Sequence, residues 1–164
     1  MEEVLISGVA LNMGEAKVTI FGVPDRPGVA AKIFQHIAEH EINVDMILQN
    51  KTETKTTDIS FTVMKSDLKR ALHVVRQAAR SVKARDVNCD EHIAKVSLVG
   101  LGMRTHPGVA SKMFGALAKR GINIEMISTS DIRISCVVNG RRGKDAMRAI
   151  HRAFALHKNN VLTS

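Results

Sequence analysis

The chain states one pattern twice. Pro27-Gly28-Val29-Ala30, followed by Lys32, Phe34, Ala38, Ile42-Asn43 and Met46-Ile47, returns as Pro107-Gly108-Val109-Ala110, followed by Lys112, Phe114, Ala118, Ile122-Asn123 and Met126-Ile127, at a constant offset of 80 residues. A repeat that long without a slip means two copies of one supersecondary unit. It constrains the fold strongly, because each copy must close its own small core. It also gives each residue a counterpart. What both copies share builds the fold, and what differs is a candidate for function.

Hydropathy periods define the unit. Residues 17–22 alternate and are rich in β-branched side chains, which predicts a strand. Residues 23–28 form a loop. Ala30, Ile33, Phe34, Ile37 and Ala38 recur at helical spacing and predict a helix over 28–40. Strands are expected at 42–48 and 57–64, with a polar turn over 50–56. Ser66 is placed to cap a helix in which Leu68, Ala71, Leu72, Val75 and Ala79 align. A further strand spans 82–89, so the first unit reads β-α-β-β-α-β.

The second copy starts at 95–100. Its first helix carries Ala110, Met113, Phe114, Leu117 and Ala118. Strands are expected at 122–128 and 132–138, then a basic turn over 140–143. The last helix aligns Ala146, Met147, Ile150 and Phe154. The residues after it make a poor strand, which leaves this unit one strand short, while a spare strand stands at 4–10. The economical arrangement completes the second sheet with the N-terminal strand. The expected domains are 17–92, and 1–16 plus 93–164. The fold class is α+β: two ferredoxin-like units, each an antiparallel four-stranded sheet with helices on one face.

Composition narrows the function. No apolar run approaches the roughly 20 residues of a membrane span. The start, Met1-Glu2-Glu3, has no signal-peptide pattern, so a cytoplasmic setting is expected. Cys89 and Cys136 stand apart, without metal-ligand spacing, and read as ordinary thiols. A net charge of +8 invites nucleic acid. The charges are scattered, however, and Trp and Tyr are absent, which leaves few stacking surfaces. A solvated basic surface, or one that docks an acidic subunit, fits better.

Catalytic patterns are weak. There is no GxxxxGK[ST] loop and no GxGxxG after a strand. His36 and His40 lie one helical turn apart but lack the HExxH pattern, so no metal is expected. No spacing singles out a nucleophile. The chain reads as a binding module, not an enzyme, and no cofactor is expected.

The loop Asp25-Arg26-Pro27-Gly28 leads into a helix N-terminus. Free N–H groups and the helix dipole there favour a carboxylate. Gly28 allows close approach of a ligand, and Asp25 can pair with an ammonium. Both signs within one loop suit a free α-amino acid. The plainer alternative is that Asp25 caps the helix and Gly28 relieves crowding. The second copy has Thr105-His106-Pro107-Gly108, which keeps a capping side chain and loses the charge. The comparison makes the charge of Asp25 a candidate for a role other than capping, beside the plainer alternative. Strand ends differ too: Gln49-Asn50 against Thr129-Ser130. Gln49 can donate and accept hydrogen bonds to a polar ligand, or be a solvated strand end.

Several segments carry a family resemblance. They are Asp25-x-Pro27-Gly28-x-Ala30, Ile42-Asn43-x-Asp45-Met46-Ile47-x-Gln49-Asn50, Lys95-Val96-Ser97-Leu98-Val99-Gly100 with His106-Pro107-Gly108-Val109, and Ile122-Asn123-Ile124-Glu125-Met126-Ile127-Ser128-Thr129-Ser130 with Ile132-Arg133-Ile134-Ser135. Together these resemble the paired ACT domains of aspartate kinase, over almost the whole chain. The kinase domain has no counterpart here. The resemblance implies a regulatory (β) subunit, or a regulatory fragment, that assembles with a catalytic α subunit and forms a homodimer through its ACT domains. It implies feedback inhibition by threonine, often with lysine, and an effector held between the first unit of one chain and the second unit of a partner. Asp25, Gly28, Val29, Ala30 and Gln49 match effector-contact positions, and Met126, Ile127 and Thr129 match the facing wall. The alternatives are an amino-acid sensor for another enzyme or regulator, and a basic nucleic-acid-binding protein.

Overall fold

The computed structural model describes residues 5–103 and 106–155, and the backbone of 161–163. The expectations resting on residues 1–4 and on Thr105 lie outside the described residues. The elements in chain order are β1 (Leu5–Asn12), β2 (Glu15–Pro24), α1 (Val29–Glu39), β3 (Ile47–Lys51), β4 (Thr56–Met64), α2 (Leu68–Ser81), β5 (Asp86–Asp90), β6 (Ile93–Leu101), α3 (Gly108–Lys119), β7 (Met126–Thr129), β8 (Arg133–Asn139), α4 (Gly143–Ala153) and β9 (Val161–Thr163). Single 3-10 turns, Lys65–Asp67 and Gly140–Arg142, lead into α2 and α4.

The chain divides into two compact units: Gly14–Glu91, and a second built from the chain on either side of it. In the first unit the strand order is β3-β4-β2-β5, all antiparallel. Val18, Ile20, Ile59, Phe61 and Val63 share one face and are fully buried, with Ile33 and Ile37 of α1 and Ala71 and Val75 of α2 in the same cluster. Period 2 in the strands and period 3.6 in the helices bring these apolar stripes together. Phe34 meets Phe61 edge-on, with ring centroids 5.5 Å apart.

In the second unit the order is β7-β8-β6-β1-β9. β1 lies antiparallel to β6, from Leu5 opposite Leu101 to Asn12 opposite Lys95. Val9, Val96, Leu98, Met113, Leu117 and Ile150 form the centre of its core. This sheet has five strands, where four were expected. The residues read as a poor strand include β9, which pairs parallel to β1 with Val9 opposite Val161. Three residues of pairing cover an edge that β1 would otherwise leave open.

Other boundaries move for one reason. Strands expected from 42 and 122 start at Ile47 and Met126. Ile42 and Ile122 are apolar because they are buried behind the preceding helix, where Ile42 N–H donates to Ile37 O and Ile122 N–H to Leu117 O. Val82 likewise closes α2, its N–H donating to Ala78 O, and pairing begins only at Asp86. Ser66 lies inside the 3-10 turn, and no side chain caps α2.

Both units tie their helices together in the same way. Arg70 Nη1 donates to His40 O at 2.8 Å, and Arg142 Nη2 donates to Arg120 O at 2.7 Å. Each arginine also holds an aspartate three residues away, Asp67 or Asp145. A cation thus satisfies carbonyls left free at the C-terminus of the unit's first helix.

Candidate functional site

β2 kinks before it reaches the loop. Its register against β4 shifts between Ile20 and Val23, and Gly22, at φ 63°, donates its N–H to Asp58 Oδ1 at 2.9 Å. Only a glycine adopts such a backbone cheaply. Pro24 ends opposite Thr56, and Asp25 N–H then donates to Lys55 O at 3.1 Å. The loop is therefore laid against the β3–β4 hairpin.

Gly28 precedes α1 at φ 88°, and no side chain caps the helix. The plainer alternative fails on both counts: Asp25 is not the cap, and a Cβ on Gly28 would meet nothing within 4 Å. Glycine is there for its backbone, and the space before the helix is open. Val29 N–H donates to Arg26 O at 3.3 Å. The N–H groups of Ala30 and Ala31 have no partner among the described residues. Free donors and the partial positive charge of a helix start favour an anion. Val29 and Ala30 are half-buried against the core cluster.

Asp25 is already engaged. Its Oδ2 lies 3.2 Å from Lys51 Nζ, with the Asp25 side chain 33% exposed and that of Lys51 78% exposed. Sequence reasoning missed Lys51, because only the hairpin register brings it beside Pro24 and Asp25. Gln49 pairs opposite Ile59, which pairs opposite Ile20. Directly opposed residues share a face. Ile20 and Ile59 are buried under the helices, so Gln49 projects to the helix side of an edge strand, two residues before Lys51, and is exposed. Register thus places Gln49 and Lys51 at the same end of the sheet as Pro24 and Asp25, which lead into α1.

In the second unit, Ile127 lies opposite Cys136 and Thr129 opposite Ile134, on the helix side of the edge strand β7, and both are exposed. Met126 lies opposite Val137 on the other face and is buried. The strand period therefore splits the three residues of the expected wall. The hairpins differ as well. Between Gln49 and Ile59 stand nine residues, 50–58, and between Thr129 and Ile134 stand four, 130–133. The longer hairpin supplies Lys51 and the Lys55 carbonyl, and it is braced by Thr52 Oγ1 donating to Thr56 O at 2.9 Å.

Among the described residues no group of three His, Cys, Asp or Glu could hold a metal. His36 and His40 meet edge to face with ring centroids 4.7 Å apart, with His40 Nδ1 at 2.8 Å from His36 O and His36 Nε2 at 3.3 Å from Gln77 Oε1. Burial pushes the Cys136 thiol up to about 12, so it stays neutral. No helix among the described residues is long and apolar enough to cross a membrane.

A four-stranded antiparallel sheet covered by two helices, built twice in one chain, defines a tandem α+β module of the ferredoxin-like class. The pattern of the ACT domain matches residues 18–79 and 96–154, and the chain belongs to the ACT-domain family. Within it, the chain is the regulatory part of an aspartokinase, without a match to the catalytic domain. It is 53% identical over 156 residues to an aspartokinase of Pseudomonas aeruginosa, covering 95% of this chain and 38% of that protein. The chain therefore spans about 38% of the length of the curated relatives it matches. Two solved structures match nearly end to end. One, described as aspartokinase alpha and beta subunits, has a TM-score of 0.86 at 44% identity, covering 92% of this chain and 99% of that one. The other, the ligand-free regulatory subunit of aspartate kinase from Thermus thermophilus, has a TM-score of 0.87 at 41% identity with the same coverage.

Proposed function

We propose that the chain binds threonine, alone or with lysine, and confers feedback inhibition on an aspartokinase catalytic subunit. The observation that carries this reading is the start of α1, where the Ala30 and Ala31 N–H groups have no partner among the described residues, the space at Gly28 is open, Asp25 precedes the helix, and Gln49 projects to the helix side of the sheet. The helix start suits a carboxylate, Asp25 an ammonium, and Gln49 a hydroxyl. Ala30 leaves room for a small β-branched side chain. Ile127 and Thr129 of a second copy complete the pocket, so the effector is held by a homodimer.

A ligand buried between chains stabilises their association. If that arrangement favours an inactive kinase, threonine inhibits at a distance through differential affinity alone.

Calorimetry of the chain against threonine tests the reading, with lysine, valine and serine alongside. Selective threonine binding is expected, near one site per chain or one per two chains. Asp25→Asn should weaken it roughly tenfold or more, because a buried ammonium loses its partner. Ala30→Leu should abolish binding in a chain that still folds. Absence of heat with every amino acid, repeated with the catalytic subunit present, would overturn the reading.

A further inference from the structure

The two edges of the first sheet, β3 and β5, are finished differently. Gly14 O accepts Lys65 N–H at 2.8 Å, which sets Ala16, Val18 and Ile20 bonding towards β4 and Lys17, Thr19 and Phe21 towards β5. Their partners Asp90, Asn88 and Asp86 bond inward. Residues alternate along an antiparallel strand, so Val87 and Cys89 turn their N–H groups outward.

Both outward donors already have an acceptor. Val87 N–H donates to Asp86 Oδ1 and Cys89 N–H to Asn88 Oδ1, each at 2.8 Å. Each acceptor belongs to the residue just before the donor, so the strand closes its own rim. On β3 the phase is fixed by Thr62 N–H donating to Met46 O at 3.0 Å. Ile47, Gln49 and Lys51 therefore turn outward, and their N–H groups have no side-chain partner among the described residues.

The second unit closes the same edge by other means. There β1 flanks β6 as β5 flanks β2, and its outer side is taken by β9. Two copies of one fold thus shield one edge independently, with side chains in the first and a strand in the second.

An unshielded β5 would suit a second copy of itself. A twofold axis at Asn88 sets Val87 opposite Cys89 of the partner subunit, and the two residues then exchange both backbone hydrogen bonds. Such a rim of unpaired groups is a template for another strand. We propose that Asp86 and Asn88 bar this pairing, by holding the donors that a second copy needs. Adding the strand must break both local hydrogen bonds and take the exposed Asp86 carboxylate out of water. The proposal holds whatever effector the chain binds.

Sedimentation of the full chain tests it, comparing the wild type with D86A/N88A and D86N over a roughly hundredfold range of concentration. The double variant loses both acceptors, and its weight-average mass should climb with concentration to about twice that of the wild type. D86N keeps an acceptor oxygen and should follow the wild type. Amide exchange then locates the new contact: Val87 and Cys89 of the double variant should exchange more slowly at high concentration than at low. Should the double variant not fold, Asn88→Ala alone carries the test, since it frees the Cys89 donor. A mass equal to that of the wild type at every concentration overturns the proposal. So does association of D86N to the same extent as the double variant, which would make charge the barrier, or slowed exchange that spares Val87 and Cys89.

Discussion

Lys51 Nζ lies 3.2 Å from Asp25 Oδ2, so the carboxylate assigned to an amino-acid ammonium already holds a cation from its own chain. A ligand ammonium must displace it. The pair is largely exposed, and such pairs contribute about 0–1 kcal/mol. Lys51→Met should therefore tighten threonine binding about two- to fivefold at low ionic strength. The gain should shrink in 0.5 M salt, since screening weakens the competitor. Calorimetry at two salt concentrations checks this. Weaker binding in the variant would instead make Lys51 a ligand contact.

Gly100 is required by close approach, not by its own backbone angles. Gly100→Ala drives a methyl into β1 and should cost about 1–3 kcal/mol. A methyl added at Gly115 in α3 would meet nothing within 4 Å, so Gly115→Ala should be neutral or stabilising by up to about 1 kcal/mol. Denaturant unfolding of the two variants should separate them, and equal stabilities would refute the packing argument.

Asp145 is held below the usual carboxylate range by Arg142 first and Arg120 second, at 2.8 and 2.7 Å. A carboxylate with a depressed folded pKa stabilises above its unfolded value, near 3.9, and loses that effect as pH falls through the folded value. Asp145→Asn should lower Tm by a few degrees at pH 7. The gap should narrow as pH falls through the folded value, because the protonated carboxyl and the amide are both neutral. A gap that persists there would point to shape, not charge.

Cys136 is buried with its thiol pushed up to about 12, while Cys89 is only half-buried. At pH 8 a thiol reagent should modify one cysteine in the native chain and two after denaturation. Above pH 9 the unfolded chain ionises Cys136 and the folded chain does not. The folded state then binds more protons, and stability should fall with rising pH up to about 12. Mass mapping of the labelled peptide distinguishes the two thiols, and early labelling of Cys136 would contradict the burial.

Much of the architecture was legible in the repeat. The Pro-Gly-Val-Ala pattern and the apolar stripes of Ile33 with Ile37, and of Met113 with Leu117, located the helices because burial follows their period. The same signal misplaced the strands beginning at Ile47 and Met126. Ile42 and Ile122 are apolar for the sake of the helices before them, and hydropathy does not distinguish burial from pairing. The three-residue β9 was missed because its stability comes from the edge of β1, a partner some 150 residues away in sequence.

The candidate site divides in the same way. Sequence alone determined that Asp25 carries a charge its counterpart lacks, that a glycine opens α1, and that Gln49 replaces a threonine. The first and last are differences between aligned copies, the glycine recurs as Gly108, and all three are readable without coordinates. Tertiary structure decided that Asp25 does not cap the helix, that Lys51 occupies it, and that Gln49 and Met126 fall on different faces of their respective sheets. Those facts depend on strand register and hairpin length. A shift of one residue reverses every side chain, and the longer first hairpin is what brings Lys51 to Asp25.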